Sequence, residues 1–387
     1  EILGWGGYWA WDPVENASFI PWLTGTAFIH SVIVTERRAM LKAWSFGLII
    51  VTYCMTVVGT FLVRSGIIES VHAFGDTGVK LPFYFFMGVV FFGSLLLLLW
   101  RLPLLRSERK LESLVSREGV FLFNNLILLA IALVTMVITF WPVITETIYG
   151  NAGQQTFGAD AYTMINAPLF LALLFLMGVG PILGWRQNSF RQIVRNFTLP
   201  TAVASLVLVG YTGYLYRHDL FKSTDSAETI TVLVSHVRVL LQVLLLPVCA
   251  FTFVTVLQEF HAGALARKRS TSEGYLRAMM GVTLQNRRRY GGYIVHVGML
   301  LVAVGMYYSS FYDIEGAVTA EPGGYAVLDD KNARESYLVY FDTEKRSPGW
   351  DVTRNLFGSD EGSLTAYRNM IRTLRKNPDK SAEQLIK

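Results

Sequence analysis

The sequence predicts an all-α polytopic membrane protein with about eight transmembrane helices and a small outer extension at its C-terminal end. Three observations carry that expectation. Of the 387 residues, 52% are hydrophobic and only 16% charged, with a mean hydropathy of +0.39, which does not fit a soluble domain of this length. Eight apolar runs are long enough to span, or nearly span, about 30 Å of hydrocarbon at about 1.5 Å per residue. The Lys and Arg residues of the connecting segments fall in alternate loops, 18 in one set and 4 in the other.

The runs are 17–34, 43–63, 83–100, 121–144, 168–185, 200–216, 231–257 and 293–312. Each reads as a helix, because a backbone in hydrocarbon has no water to bond and must satisfy its own N–H and C=O groups. The basic loops are 35–42, 101–120, 186–199 and 258–292, and these are expected on the cytoplasmic side. The N-terminal motif, the loop that holds His72 and the chain after Phe311 then face outward. Residues 1–312 are expected to form the transmembrane bundle, with an outer Trp-rich motif over 1–31, and residues 313–387 a periplasmic extension. That extension carries Gly-rich turns at 321–324, a β-like stretch at 336–341 and a polar, helix-like end from Leu364. It has few apolar residues with which to fold alone.

The net charge of +5 sits in the loop patches, so it reflects membrane topology, and no nucleic-acid-binding module is present. Cys54 and Cys249 both lie inside apolar runs without a CxxC pair, which removes a disulfide framework, a zinc site and a thioredoxin-like site. No CxxCH occurs, so the chain does not attach haem to itself. The sequence enters a dense motif directly from Glu1, as expected of a piece of a longer protein whose targeting segment lies upstream.

That motif is Gly4-Trp5-Gly6-Gly7-Tyr8-Trp9-Ala10-Trp11-Asp12-Pro13-Val14-Glu15-Asn16. Asp12 suits an N-cap, Pro13 the first helical position, and Glu15 completes a capping box, so part of the motif simply starts the first helix. The aromatics have a plain reading too, as an interfacial belt. A belt has no use for three interleaved glycines, whereas glycines that admit a flat ligand and aromatics that stack on it fit a planar macrocycle at the outer surface.

A histidine inside a membrane helix is costly and therefore a functional candidate, the plain alternative being a hydrogen bond to a neighbouring helix. His30 lies 13 residues past Ala17, about 20 Å below the outer boundary. His296 lies three residues past Tyr293, about 5 Å in from the cytoplasmic boundary and about 25 Å from the outer one. The two are level to within about one helical turn. Axial ligands of one haem need the same height on opposite faces of the ring, so His30 and His296 make a bis-histidine b-type haem site.

The other histidines read differently. His72 falls nine residues beyond Val63, outside the bilayer and too high to share that iron; alone it is a solvated loop residue. His236 and Arg238 lie near the outer surface and would meet a haem propionate or pair with Asp225 or Glu228. His261 is a reserve partner for His30, and His218 an ordinary loop residue.

The run from Trp5 to Phe19, followed by Trp22-Leu23 and Thr26-Ala27-Phe28-Ile29-His30-Ser31, resembles the tryptophan-rich WWD domain of haem-handling membrane proteins. Within that superfamily it is similar to the CcmF family, the haem lyases of system I cytochrome c maturation. Gly59-Thr60-Phe61-Leu62-Val63-Arg64-Ser65-Gly66 leading to His72, and Arg289-Tyr290-Gly291-Gly292 leading to His296, extend the resemblance to about residue 320. System II synthases and CcmC proteins share the Trp-rich core, but Asp12-Pro13-Val14-Glu15-Asn16 looks like the CcmF version. Two departures stand out: CcmF proteins have further helices and another outer-loop histidine before the motif, and usually a last membrane helix after the outer domain.

The resemblance implies a cytochrome c haem lyase of the bacterial inner membrane, with the Trp-rich motif on the periplasmic side. It implies haem b held by His30 and His296, a second haem handled as substrate at the outer site with His72 as iron ligand, and a platform of Trp5, Tyr8, Trp9, Trp11 and Asp12. The haem chaperone CcmE, CcmH-type partners and apocytochrome c are the implied partners. Adding a cysteine thiol to a haem vinyl group needs no enzyme nucleophile, so the lack of a catalytic Ser, Cys or Lys constellation is no objection. Three other readings stay open: a haem transporter, which calls for broken helices in two repeated halves; a system II-type synthase; and a structural subunit, which leaves the level histidine pair unexplained.

Overall fold

The computed structural model describes residues 9–68, 78, 80–217, 229–312, 325–330 and 335–340. Its helices are α1 (Pro13–Arg38), α2 (Lys42–Ser65), α3 (Lys80–Arg101), α4 (Arg117–Tyr149), α5 (Ala159–Ile182), α6 (Phe190–Arg217), α7 (Thr229–Thr271), α8 (Tyr275–Gln285) and α9 (Arg287–Tyr312). Eight of these, all but α8, are long and apolar enough to cross a membrane, as the sequence predicts.

α1 starts where its capping residues place it. The Asp12 carboxylate accepts the Val14 N–H at 2.9 Å, and the Glu15 carboxylate accepts the Asp12 N–H at 3.1 Å. Pro21, Pro142, Pro168, Pro181, Pro200 and Pro247 all lie inside helices without ending them, which membrane helices tolerate because packed neighbours satisfy the freed backbone groups.

The helices outrun the apolar stretches. α5 and α6 begin at Ala159 and Phe190, ahead of the apolar starts at 168 and 200, and α7 continues to Thr271 rather than stopping at 257. Hydropathy marks the depth of hydrocarbon, whereas helix ends are set by propensity and caps, and the Ala, Leu, Arg and Lys residues of 263–269 are strong helix formers in water too. Arg267 closes the following turn with a two-pronged bridge to Glu273, at 3.0 and 3.1 Å, and this bond holds the Glu273 carboxyl below the usual carboxylate range.

α1 is the central strut. Its Ile20, Leu23 and Ala27 pack against Leu48 of α2 and Leu128, Ile131 and Ala132 of α4. A second core joins Leu174 of α5, Cys249 of α7 and Leu300 of α9, and a third gathers Val256 of α7 with Tyr290 and Tyr293 of α9. The α1–α2 crossing needs Gly59, because a Cβ there would come 2.6 Å from the Ala17 carbonyl oxygen. α3 buries none of its residues and touches α2 through Phe83 and Tyr84 on Phe61, so nearly all of its apolar surface is left for lipid.

This helical unit runs to Tyr307; a second unit begins at Tyr308. In the second unit, β1 (Tyr325–Asp330) pairs with β2 (Glu335–Tyr340) in an antiparallel hairpin, Tyr325 opposite Tyr340 and Asp330 opposite Glu335. β2 falls on the expected β-like stretch, and its partner follows directly after the Gly-rich turn. The helix-like end expected from Leu364 lies outside the described residues.

Candidate functional site

Two levels of α1 carry the candidate residues. At its N-terminal end, Trp9 and Trp11 meet edge to face with ring centres 5.8 Å apart, and Trp11 stacks on Tyr162 of α5 at 5.1 Å with the planes 10° apart. Phe19 joins them, 5.4 Å from Trp9, and continues the cluster to Trp22 at 5.8 Å and Phe170 of α5 at 6.1 Å. Trp11 has φ = 58°, a left-handed conformation that costs a residue with a side chain on the order of 1 kcal/mol or more. The fully buried Asn16 fixes it there, its amide donating to the Trp11 carbonyl and to the Thr139 hydroxyl of α4, both at 3.0 Å. Asp12 belongs to this level through the cap: one carboxylate oxygen is taken by the Val14 N–H. Trp5, Tyr8 and His72 lie outside the described residues.

The lower level holds the two half-buried histidines, His30 and His296. The His30 Nδ1 stands 2.9 Å from the Thr26 carbonyl and 3.3 Å from the amide nitrogen of Asn124 of α4. The carbonyl can only accept, so the shorter contact fits the tautomer with the proton on Nδ1, which leaves the Nε2 lone pair free. Phe121 of α4 lies against the His30 ring at 5.7 Å and leans on Trp185 at 6.2 Å. His296 lies within electrostatic range of His30, and its own Nδ1 is buried without a hydrogen-bond partner among the described residues.

Arg288 of α9 bridges to Glu36 of α1, so these two helix ends lie within side-chain reach of one another. His30 is six residues above Glu36 and His296 eight above Arg288, about 9 and 12 Å along their helices. Trp11 sits at the start of α1, 17 helical residues above His30, about 25 Å away, so the two cannot share one iron.

Haem iron takes neutral imidazole nitrogens on its two axial sides and is served best by a ligand whose other nitrogen is tied to a carbonyl. His30 meets that description, and the orphaned ring nitrogen of His296 marks a buried polar group in want of a partner. The residues fit the group. Among the described residues no cluster of three or more His, Cys, Asp or Glu side chains is gathered for a bare metal ion.

The weaker candidates have local partners. Arg238 stands 3.6 Å from Asp160 of α5, with both side chains mostly exposed; Asp225 and Glu228, its expected partners, are outside the described residues. His261 Nδ1 is 3.0 Å from the Tyr275 hydroxyl of α8 on an exposed face. His236 belongs to α7, but its side chain, like His218, lies outside the described residues.

A family model described as "Cytochrome C assembly protein" matches residues 2–68, the stretch that holds the Trp-rich motif, α1 and α2. The chain is 32% identical over 384 residues to the cytochrome c-type biogenesis protein CcmF of Pseudomonas aeruginosa, covering 98% of this chain and 51% of that protein. The chain is a homologue of CcmF. Escherichia coli K12 CcmF is 33% identical over 380 residues, covering 96% of this chain and 52% of the relative. A solved structure titled "Cytochrome c Heme Lyase CcmF" superposes with a TM-score of 0.55 at 28% identity, over 89% of this chain and 49% of that one. The CcmF homologue described here therefore spans about half the length of the curated relatives it matches.

Sequence reasoning missed Tyr162 and Phe170 at the upper level, and Phe121, Asn124 and Trp185 at the lower. A usable signal for some was present: Asn124-Asn125 and Thr135/Thr139 interrupt the apolar run of α4, and polar groups inside a membrane helix seek partners on the next one.

Proposed function

We propose that this chain forms part of a cytochrome c haem lyase, placing haem at the Trp-rich level for attachment to the CxxCH motif of an apocytochrome. The observation that supports the reading is the half-buried His30, its Nδ1 on the Thr26 carbonyl so that Nε2 is left for a ligand, with His296 near it and the start of α1 with its Trp11 about 25 Å above. A haem b held by the pair would supply one-electron chemistry from within the bilayer. His30 and His296 provide the iron ligands, the Thr26 carbonyl fixes the His30 tautomer, and Phe121 with Trp185 keeps water from that ring.

The substrate haem is the business of the upper level. Trp5, Tyr8, Trp9 and Trp11 offer ring faces to it, Asp12 and Asn16 fix the turn that presents them, and His72 ligates its iron. Thioether formation joins each cysteine sulfur to one vinyl carbon and delivers the thiol proton to the other, with no net redox change. The chain contributes orientation, which alone can supply several orders of magnitude in rate. His236 and Arg238 lie within reach of the outer surface and would take a propionate.

The haem comes from a chaperone of the CcmE kind and the apocytochrome from CcmH-type partners. The bilayer is the bacterial inner membrane, with the Trp-rich motif and residues 313–387 periplasmic; the 18 to 4 asymmetry of basic residues supports this orientation. Reporter fusions within 101–120 and 258–292 are expected to signal cytoplasm, and those within 145–167 periplasm. A cytoplasmic signal from 145–167 would place the Trp-rich motif on the wrong side.

Function is tested with His72→Ala in cells that depend on this protein. Haem-stained cytochrome c is expected to fall to background, while the purified variant keeps the b-type spectrum of the parent. Normal cytochrome c would end the outer-ligand role, and loss of the b-type spectrum would merge the two sites into one.

A further inference from the structure

We propose that the arginine-lined pocket between the C-terminal end of α1 and the α8–α9 turn binds the headgroup of an anionic phospholipid, whose acyl chains lie along α8. The pocket encloses about 500 Å³ and is lined by Arg37 of α1, Leu284 of α8, and Arg287, Arg288 and Arg289 at the start of α9.

Its charges do not cancel. Arg288 is bridged to Glu36 and Arg289 to Glu259, so two of the four guanidiniums are neutralised within the protein. Arg37 and Arg287 have no carboxylate within ion-pairing distance among the described residues, and both are exposed. Two cationic side chains without a carboxylate partner, facing one cavity, match the negative charge of a phosphate, whose oxygens accept from arginine or lysine alike.

The depth of the pocket selects a lipid. The membrane-crossing stretch of α1 ends at Arg38 and that of α9 begins at Arg287, so the pocket opens at one bilayer face. α8 lies at that face with an apolar edge turned outward: Leu276, Met280 and Leu284 recur every four residues and stay 69%, 64% and 59% exposed. Its other side is packed, with Ala278 fully buried and Val282 against the cluster of Val256, Tyr290 and Tyr293. A helix of this kind belongs in the boundary between headgroups and acyl chains. Leu284 belongs to both the apolar edge and the pocket, so the phosphate site and the greasy strip are one surface. A free phosphate would satisfy the arginines and leave the strip in water; a phospholipid satisfies both.

The test uses the full chain purified in detergent, with bound lipid read by native mass spectrometry after addition of phosphatidylglycerol or phosphatidylcholine. Phosphatidylglycerol is expected to be retained at least about tenfold better, and Arg37→Gln/Arg287→Gln to lower its retention by a similar factor. Leu284→Ser is expected to weaken it further, while Arg191→Gln, a basic residue of α6, leaves it unchanged. Arg37→Lys/Arg287→Lys restores charge and must restore most of the retention, which separates lost binding from a disturbed fold. Equal retention of the two lipids, full retention by the Gln double variant, or failure of the Lys pair to restore it would each overturn the proposal. So would complete displacement of the lipid by millimolar inorganic phosphate, which would make this a free-anion site.

Discussion

His30→Ala and His296→Ala are each expected to remove the b-type haem spectrum of the purified protein, whereas His261→Ala leaves it in place. On the proposed reading the effect is large because each variant would lose an axial ligand outright, whereas disturbing only a hydrogen-bond partner of a metal-binding histidine typically costs about 10- to 100-fold in affinity. Asn124→Ala is expected to change haem content far less, since its amide only packs beside His30, 3.3 Å from Nδ1. The series separates ligation from packing. If the two imidazoles only bonded to neighbouring helices, substitution would lower stability and leave haem content untouched. Full haem in both single variants, or its loss in His261→Ala alone, would break the pairing.

The membrane-crossing plan was legible because lipid imposes a strong constraint on composition: each crossing needs some twenty apolar residues, and each cytoplasmic loop its positive charge. The capping box at Asp12 and Glu15 was legible for the same kind of reason, being local. What surrounds the candidate residues was not. Tyr162 meets Trp11 and Asn124 meets His30 only because α4 and α5 pack beside α1, and one sequence does not state which helices are neighbours. α8 was invisible to an apolar-run search, since an interfacial helix of 11 residues carries its apolar residues on one edge rather than in a row. The Glu36–Arg288 bridge likewise joins α1 to α9 across 252 residues of sequence, which no count along a single helix reveals. The upper site was legible only in part: Trp9, Trp11 and Asp12 announce themselves in the motif, whereas the role of Asn16 in holding Trp11 at positive φ depends on Thr139, 123 residues away.

Arg38→Leu and Glu118→Ala are each expected to destabilise the protein by about 3–5 kcal/mol, the range for breaking one side of a buried ion pair. The two side chains are only 7% and 3% exposed, with Arg38 Nε 2.6 Å from a Glu118 oxygen, and Arg38 also reaches Glu112 at 3.0 Å. Removing Arg38 strands the Glu118 charge away from water, whereas removing Glu118 leaves Arg38 its bridge to Glu112 but deprives the Arg186 N–H of its acceptor. Glu118 has further work: both of its oxygens accept the Arg186 backbone N–H, at 2.9 and 3.2 Å, which ties the turn after α5 to the start of α4. Phe121, one helical turn beyond Glu118, reaches from there to His30 and to Trp185 on that same turn. Loosening this corner therefore frees the wall beside the lower site without touching an iron ligand. The double variant Arg38→Leu/Glu118→Ala is expected to lose clearly less than the sum of the single changes, because neither member of the buried pair is left alone. Thermal or chemical unfolding of the three variants in detergent measures the cycle, with haem content read alongside. Additive losses would show that the two side chains act independently, and unchanged stability in either single variant would show that water reaches this corner.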